Sequence, residues 1–440
     1  MKSINVQEII DQAKFNAFHK LLVFCCFLII VFDVYDLVVF GVVLPVLMEE
    51  WQLTPVEAGV LGSYALFGMM FGAIIFGSIS DRIGRKKCII ICMLIFTIFS
   101  YLVTLCTGPT SFGILRFVAG LGIGGLMPNA VALITEYAPQ KNRSFLSTLM
   151  FSGYGVGGIL AALLGIWLLP LYGWKIMFYI GALPIFTIPF IIKFVPDSIG
   201  FLVAKNKRDE VKKVLNKIDS NLEIDEHSQF YMPIKLESAS ISQLFKSGRL
   251  TSTLMFWTAF FMCLLMVYGL NSWLPKLMTK AGYPLGSSLM FLLSLNLGGM
   301  IGAIGGGKLG DKFKLKNVLI VFLSIAAISL FLLGFKGNSF TLYLLIAIAG
   351  ATTIGTQILL YTYVAQFYPM EVRSTGIGWA SGVGRLGGIV GPLVGGILLG
   401  MNLPFEYNFL VFAIPGAIGA IAISFVNVKK AFKTKPINAI

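Results

Sequence analysis

Gly77-Ser-Ile-Ser-Asp81-Arg82 and Gly307-Lys-Leu-Gly-Asp311-Lys312 carry one pattern twice, 230 positions apart. Further landmarks fall in the same register: Leu44-Pro45 with Leu274-Pro275, and Pro139 and Arg143 with Pro369 and Arg373. A fixed offset shared by several landmarks marks an internal duplication. What is duplicated follows from the hydropathy around it. Apolar runs fall at roughly 20–47, 57–80, 88–107, 111–135, 145–170 and 175–195, and again at 251–275, 286–309, 317–335, 340–365, 374–400 and 406–427. Each run is close to the ~20 residues needed to cross a hydrocarbon layer ~30 Å thick. The expected fold is therefore an all-α membrane protein, twelve transmembrane helices in two pseudo-symmetric halves of six. Residues 1–195 make the N-terminal half, 196–250 a central polar loop, and 251–440 the C-terminal half with its tail. Parallel repeats of this kind are a transporter architecture with a substrate site near the midplane.

The totals agree with this reading. At 57% hydrophobic and 12% charged residues, with a mean hydropathy of +0.86, the chain carries more apolar surface than a soluble domain buries. The formal charge of +14 is explained by topology. Lys2, Lys14, Lys20, Arg82, Arg85, Lys86, Lys87, Lys141, Arg143, the central loop, Lys308, Lys312, Lys314, Lys316, Arg373 and the tail from Lys429 all fall on one side. The other side keeps Lys175, Lys276, Lys280 and Lys336. The basic side is expected to be cytoplasmic, with both termini on it, and nucleic acid is set aside as a partner. The first apolar run is too long for a signal peptide and is expected to be retained. The six cysteines lie in or beside apolar runs without metal-type clustering, and His19 and His227 lie at a helix edge and in a polar loop. No metal or cofactor is expected. Gly302 to Lys308 nearly spells a phosphate loop, but it follows no strand and lacks the closing Ser/Thr. Within the central loop, Lys205 to Lys217 has the pattern of a short amphipathic surface helix.

Against this apolar background the first helix carries Phe32-Asp33-Val34-Tyr35-Asp36. Asp33 and Asp36, spaced i,i+3, share a helix face near the middle of the run. A carboxylate at that depth faces protein or a water-filled cavity and marks a functional site by default. Two acids this close resist simultaneous ionisation, so the pair is a candidate proton carrier, with either acid able to hold the proton. Arg385, midway along the eleventh helix, suits a two-point grip on a carboxylate. The alternative is a standing ion pair with Asp33 or Asp36. At the repeat offset Asp33 faces Cys263, Asp36 Met266, Arg116 Ile346 and Arg385 Gly155. The scaffold is duplicated and these charges are not, which reads as charge added for function. Tyr35, Tyr154, Asn271, Asn296, Gln357, Tyr361 and Trp379 are the polar or aromatic side chains deep enough to line a substrate site, helix packing being the other explanation for each.

Gly77-x-x-x-Asp81-Arg82-x-Gly84-Arg85-Lys86-Lys87 resembles the signature loop of the major facilitator superfamily, and Arg116-x-x-x-Gly120-x-x-x-Gly124 its fourth-helix motif. Within it, Asp33-x-Tyr35-Asp36, Glu49-Glu50-Trp51, Tyr268-x-x-Asn271-Ser272-Trp273-Leu274-Pro275 and Gly384-Arg385 through Gly391-Pro392 resemble the aromatic acid:proton symporter family, its benzoate-type members above all. One departure is Val34, where that family has glycine. The resemblance implies import of a small aromatic carboxylate such as benzoate or a hydroxybenzoate with protons, by alternating access, in a bacterial inner membrane, by a monomer. It implies a basic-side gate of ion pairs among Asp81, Arg82, Arg85, Glu136, Arg143, Asp311, Glu371 and Arg373, with Asp81 near a helix N-terminus and Arg116 tied to gating or coupling. The fifth helix lacks the Gly-Pro pair of superfamily antiporters, which favours uptake over export. Competing readings are a carrier of nicotinate-like acids, dicarboxylates, sugars or drugs, and a non-transporting membrane sensor. No nucleophile-and-base pairing, metal set or cofactor loop points to an enzyme.

Overall fold

The fold comes from a computed structural model that describes residues 3–219, 229–232, 241–246, 248–335, 337–401 and 404–428. Twelve helices among them are long and apolar enough to cross a membrane. In chain order they are α1 (Ala17–Glu50), α2 (Pro55–Ser80), α3 (Arg85–Val103), α4 (Pro109–Tyr137), α5 (Phe145–Tyr172) and α6 (Lys175–Phe194). The second set is α7 (Leu250–Lys280), α8 (Leu285–Gly310), α9 (Leu315–Leu332), α10 (Ser339–Phe367), α11 (Thr375–Gly400) and α12 (Tyr407–Phe425). With no water available in the hydrocarbon, a spanning segment must satisfy its backbone internally, and continuous helix is how these runs do so.

The duplication extends to the packing. α4 and α10 begin and end 230 positions apart. A Cβ added at Gly68 would overlap the Phe117 carbonyl, and one at Gly298 the Ala347 carbonyl, the same pair moved by the repeat offset. Gly72 on Leu121 recurs as Gly302 on Ala351, and Gly120 on Ala65 as Gly350 on Leu295. Each half thus seats its second helix against its fourth through backbone-to-backbone contact, the mode by which small residues join helices in lipid. Between α1 and α5 the pair is Gly157 on Val31, and between α7 and α11 Gly387 on Phe261. Pro45 and Pro275 interrupt α1 and α7 at matching positions, each removing one backbone hydrogen bond.

Two compact units result: Met1–Val43 with Tyr64–Lys235, and Leu44–Ser63 with Leu236–Ile440. The tip joining α1 to α2 therefore belongs to the second unit rather than to the half that its sequence position suggests. Glycine-on-glycine contact with α11 is the reason. A Cβ at Gly59 would lie 2.7 Å from the Pro392 carbonyl and 3.3 Å from the Gly396 Cα, and the Ser63 hydroxyl donates to the Ile389 carbonyl at 2.8 Å.

On the basic side of the first unit the chain folds beyond its spans. Strand β1 (Ser3–Asn5) pairs in parallel with β2 (Gln229–Tyr231). The Asn5 side chain accepts from the Gln7 and Glu8 amides and so caps the helix Val6–Gln12. The expected amphipathic helix spans Arg208–Ile218 and buries Val211, Val214, Leu215 and Ile218. Asn16 Nδ2 donates to the Lys217 and Ile218 carbonyls, both at 2.9 Å, and so ties the end of that helix to the entry of α1.

Candidate functional site

The first unit places its charges in two layers. In the deeper layer, Asp33 and Asp36 on α1 are buried, 3% and 1% exposed. Arg116 on α4, also 1% exposed, reaches Asp36. Its Nη1 donates to both carboxylate oxygens at 2.6 and 2.7 Å, and Nη2 donates to the Asp36 carbonyl at 3.2 Å. The guanidinium also lies over the Phe178 ring, 5.4 Å from its centroid. The two acids are therefore not equivalent. Asp36 is engaged through both oxygens by a fixed cation, Arg116. Arg116 itself is a side-chain ion-pair partner within the first unit.

Tyr35 is buried with its hydroxyl donating to the Met177 carbonyl at 2.9 Å, so it braces α1 against α6. Val34 is buried too, and its Cβ lies 3.1 Å from the place a Gly157 side chain would take. The extra bulk at Val34 is absorbed by a missing side chain on α5.

In the second unit, α11 presents a glycine ridge to α7. Gly384 meets Phe260 and Leu264, Gly387 the Phe261 backbone, and Gly388 the Tyr268 ring. This ridge fixes the rotation of α11 and with it the half-buried Arg385. Tyr361 on α10 packs edge-on against Phe260, with centroids 5.0 Å apart. It lies beside Ser381 and within electrostatic reach of Arg385. One turn earlier on α10, Gln357 is 7% exposed, and its Oε1 is buried without a hydrogen-bond partner among the described residues. Asn271 and Asn296 form a different pair: Asn296 Nδ2 donates to Asn271 Oδ1 at 3.2 Å, and each amide also donates to the carbonyl one turn before it. Trp379 is 46% exposed and stacked on Trp257, with centroids 5.7 Å apart, so its ring is committed to a second indole. Tyr154 is half-buried on α5.

The shallower layer of the first unit contains Arg85, Glu136 and Arg143 of the expected gate. Arg85 pairs with Glu136 at 2.9 Å. Arg143 pairs with Asp11 of the helix Val6–Gln12 at 2.5 Å and donates to the Ala138 carbonyl at 3.1 Å. Arg82 is exposed and Arg373 half-buried. The side chains of Asp81, Asp311 and Glu371 lie outside the described residues.

Asp197 is a residue that motif reading did not single out. It follows α6, and its Oδ1 accepts from the Ser198 amide at 2.8 Å and the Lys86 amide at 3.3 Å, while the Tyr137 hydroxyl bonds its carbonyl. An Asp197 carboxylate thus sits at the N-terminus of α3, where a helix favours negative charge. It lies against Gly84, whose φ of +95° and lack of a side chain make room for it. The Pro196-Asp197-Ser198 turn after an apolar run was the available signal.

Residues 26–314 and 297–439 match the family model described as Major Facilitator Superfamily. The chain belongs to the major facilitator superfamily. Relatives along its whole length carry transporter names. A benzoate transport protein of Acinetobacter baylyi is 47% identical, covering 100% of this chain and 96% of its own. A gentisate transporter of Corynebacterium glutamicum is 37% identical over 90% of this chain and 84% of its own. The 4-hydroxybenzoate transporter PcaK of A. baylyi is 34% identical, with coverages of 96% and 94%. Among solved superfamily structures, an inward-facing bacterial homologue of the human lysosomal transporter Spinster superposes with a TM-score of 0.75 at 16% identity, covering 96% of this chain and all of that one. The xylose transporter XylE from E. coli gives 0.74 at 18%, covering 93% and 100%. This superfamily member is a multi-pass membrane protein with twelve membrane-spanning helices among its described residues, and its named relatives are transporters, not enzymes.

Proposed function

We propose that this protein imports a small aromatic carboxylate of the benzoate or hydroxybenzoate class together with protons, by alternating access, as a monomer in a bacterial inner membrane. The observation that carries the substrate class is the full-length likeness to the benzoate transport protein at 47% identity. The concentration of Lys and Arg on one side supports a cytoplasmic placement of both termini, and the three-part division 1–195, 196–250 and 251–440 is retained as the working domain scheme.

In this reading Asp33 carries the proton. Asp36 has both oxygens on Arg116, and removing one partner of a buried pair leaves the other charge uncompensated. Arg385 grips the carboxylate, Tyr361 lies within electrostatic reach of Arg385, and Gln357 offers its unpartnered amide oxygen to a polar ring substituent. Asn271, Asn296 and Trp379 support this site through the packing already described, and Tyr35 braces the helix that carries Asp33. Arg82, Arg85, Glu136, Arg143 and Arg373 act in the gate, with Asp81, Asp311 and Glu371 assigned to it from their motifs. Coupling has a physical purpose: entry of an anion against an inside-negative potential costs about 2.3 kcal/mol per 100 mV, which one accompanying proton cancels. By linkage, proton and substrate each favour binding of the other.

The test is uptake by the purified protein in liposomes across a panel of ring acids, sugars and nicotinate. Accumulation of ring acids driven by an inward proton gradient is expected. Binding without ligand-dependent proton flux would make the protein a sensor, and sugar accumulation would discard the Arg385 assignment.

A further inference from the structure

We infer that a lysine-lined cavity on the basic side of the first unit is a site for the headgroup of an anionic phospholipid. The cavity, about 480 Å³, is bounded by the start of α3, the end of α6 and the helix Arg208–Ile218. Lys86 and Lys87 lie in the first turn of α3 and Lys193 in the last turn of α6. The cavity therefore opens where two spans leave the hydrocarbon, at headgroup depth. Lys207, Lys213 and Lys217 complete the basic lining, so that six lysines stand against two acids, Asp197 and Glu210.

Both acids are already engaged. Asp197 accepts from the Lys86 and Ser198 amides. Glu210 accepts from Lys207 Nζ at 2.8 Å, a bond that holds the Lys207 ammonium above the usual lysine range. Lys86 is engaged as well, its Nζ donating to the Ile192 carbonyl at 2.6 Å. Lys87, Lys193, Lys213 and Lys217 are exposed and line the cavity with no carboxylate partner among the described residues. The remaining wall is apolar, with Phe18, Ile90, Phe194 and Val214 among its members. A basic rim over an apolar wall at the membrane surface matches a phosphodiester with its glycerol and first methylenes, and basic pockets beside transmembrane helices recognise such headgroups.

The repeat separates scaffold from addition. At the corresponding positions of the second half stand Lys316, Asn317 and Ile423. Lys316 repeats the role of Lys86, donating to the Ser424 and Val426 carbonyls at 2.7 and 2.8 Å. Lys86 therefore belongs to the shared fold, while Lys87 and Lys193 were added to it.

Native mass spectrometry of the full chain titrated with phosphatidylglycerol or phosphatidylcholine of matched acyl chains tests this. Phosphatidylglycerol is expected to bind more tightly. Each lysine near such a surface contributes about a fivefold effect, so Lys87→Gln/Lys213→Gln/Lys217→Gln should weaken it on the order of 100-fold, and the exposed single change Lys213→Gln by roughly fivefold. A same-side control, Lys308→Gln/Lys312→Gln/Lys314→Gln, should bind like the parent, and millimolar inorganic phosphate should not displace the lipid. Equal binding of the two lipids, an unaffected triple or single variant, or an equal loss in the control overturns the site. Displacement by phosphate makes it a soluble-anion site and overturns the lipid assignment.

Discussion

Replacing Asp36 and Asp33 separately should produce different failures. Arg116 and Asp36 are each 1% exposed and joined at 2.6 and 2.7 Å, with a third bond to the Asp36 carbonyl. In Asp36→Asn the guanidinium keeps its charge in a dry site without a counter-ion, which costs about 3–5 kcal/mol. At 1.36 kcal/mol per decade this is a factor of about 10²·² to 10³·⁷ in the folding equilibrium constant. Arg116→Gln should lose as much for the mirror reason. The double variant Asp36→Asn/Arg116→Gln removes both charges and should be markedly more stable than either single. Asp33→Asn should abolish accumulation driven by a proton gradient and retain substrate counterflow. The measurements are thermal unfolding of detergent-purified protein monitored by size-exclusion chromatography, with gradient-driven uptake and counterflow in liposomes. If the two single losses add in the double variant, the pair is not coupled as the geometry says. If Asp33→Asn still accumulates substrate uphill while Asp36→Asn folds normally and does not, the assignment of the proton to Asp33 is wrong.

Other expectations follow from the second unit. Arg385→Lys keeps the charge but loses the planar fork; with charge-assisted hydrogen bonds contributing ~1.5–3 kcal/mol, apparent affinity for ring acids in a concentration series of uptake should fall about 10- to 150-fold. Gln357→Ala should lower affinity for hydroxybenzoates by roughly 2- to 12-fold, a neutral hydrogen bond's contribution, and leave benzoate nearly unchanged, as competition assays with both acids would show. Gly298→Ala drives a methyl into the Ala347 carbonyl, and at overpacking costs of ~1–3 kcal/mol should lower the unfolding temperature, with Gly68→Ala behaving alike in the other half.

Much of this architecture was legible in the sequence, and for a definite reason. A lipid environment imposes hydropathy on every span, so helix count follows from apolar runs, and an offset that held for Gly77 and Gly307 also holds for the glycine seams. The burial of Asp33 and Asp36 was likewise implied by position within a run. Pairing was not. Asp36 and Arg116 are eighty positions apart, and nothing local distinguishes a helix that turns its arginine towards α1 from one that turns it elsewhere; packing of Gly120 and Gly124 settles the rotation. Asp197 escaped notice because its partner is a backbone amide, which carries no sequence mark. Trp379 looked like a site residue by depth alone, and its stacking on Trp257 depends on a neighbouring helix.

The parallel pairing of Ser3–Asn5 with Gln229–Tyr231 has a consequence for biosynthesis. The opening strand leaves the ribosome long before its mate exists, and at roughly 5–20 residues per second the interval is on the order of ten to forty seconds. Throughout it, six spans are inserted while the opening strand has no mate, with the Asp11–Arg143 pair within reach of the helix that follows it. The strand pairing of the first unit can therefore close only when the central loop has emerged, so a deletion of Gln229–Tyr231 would leave Ser3–Asn5 unpaired even though every membrane helix had been made.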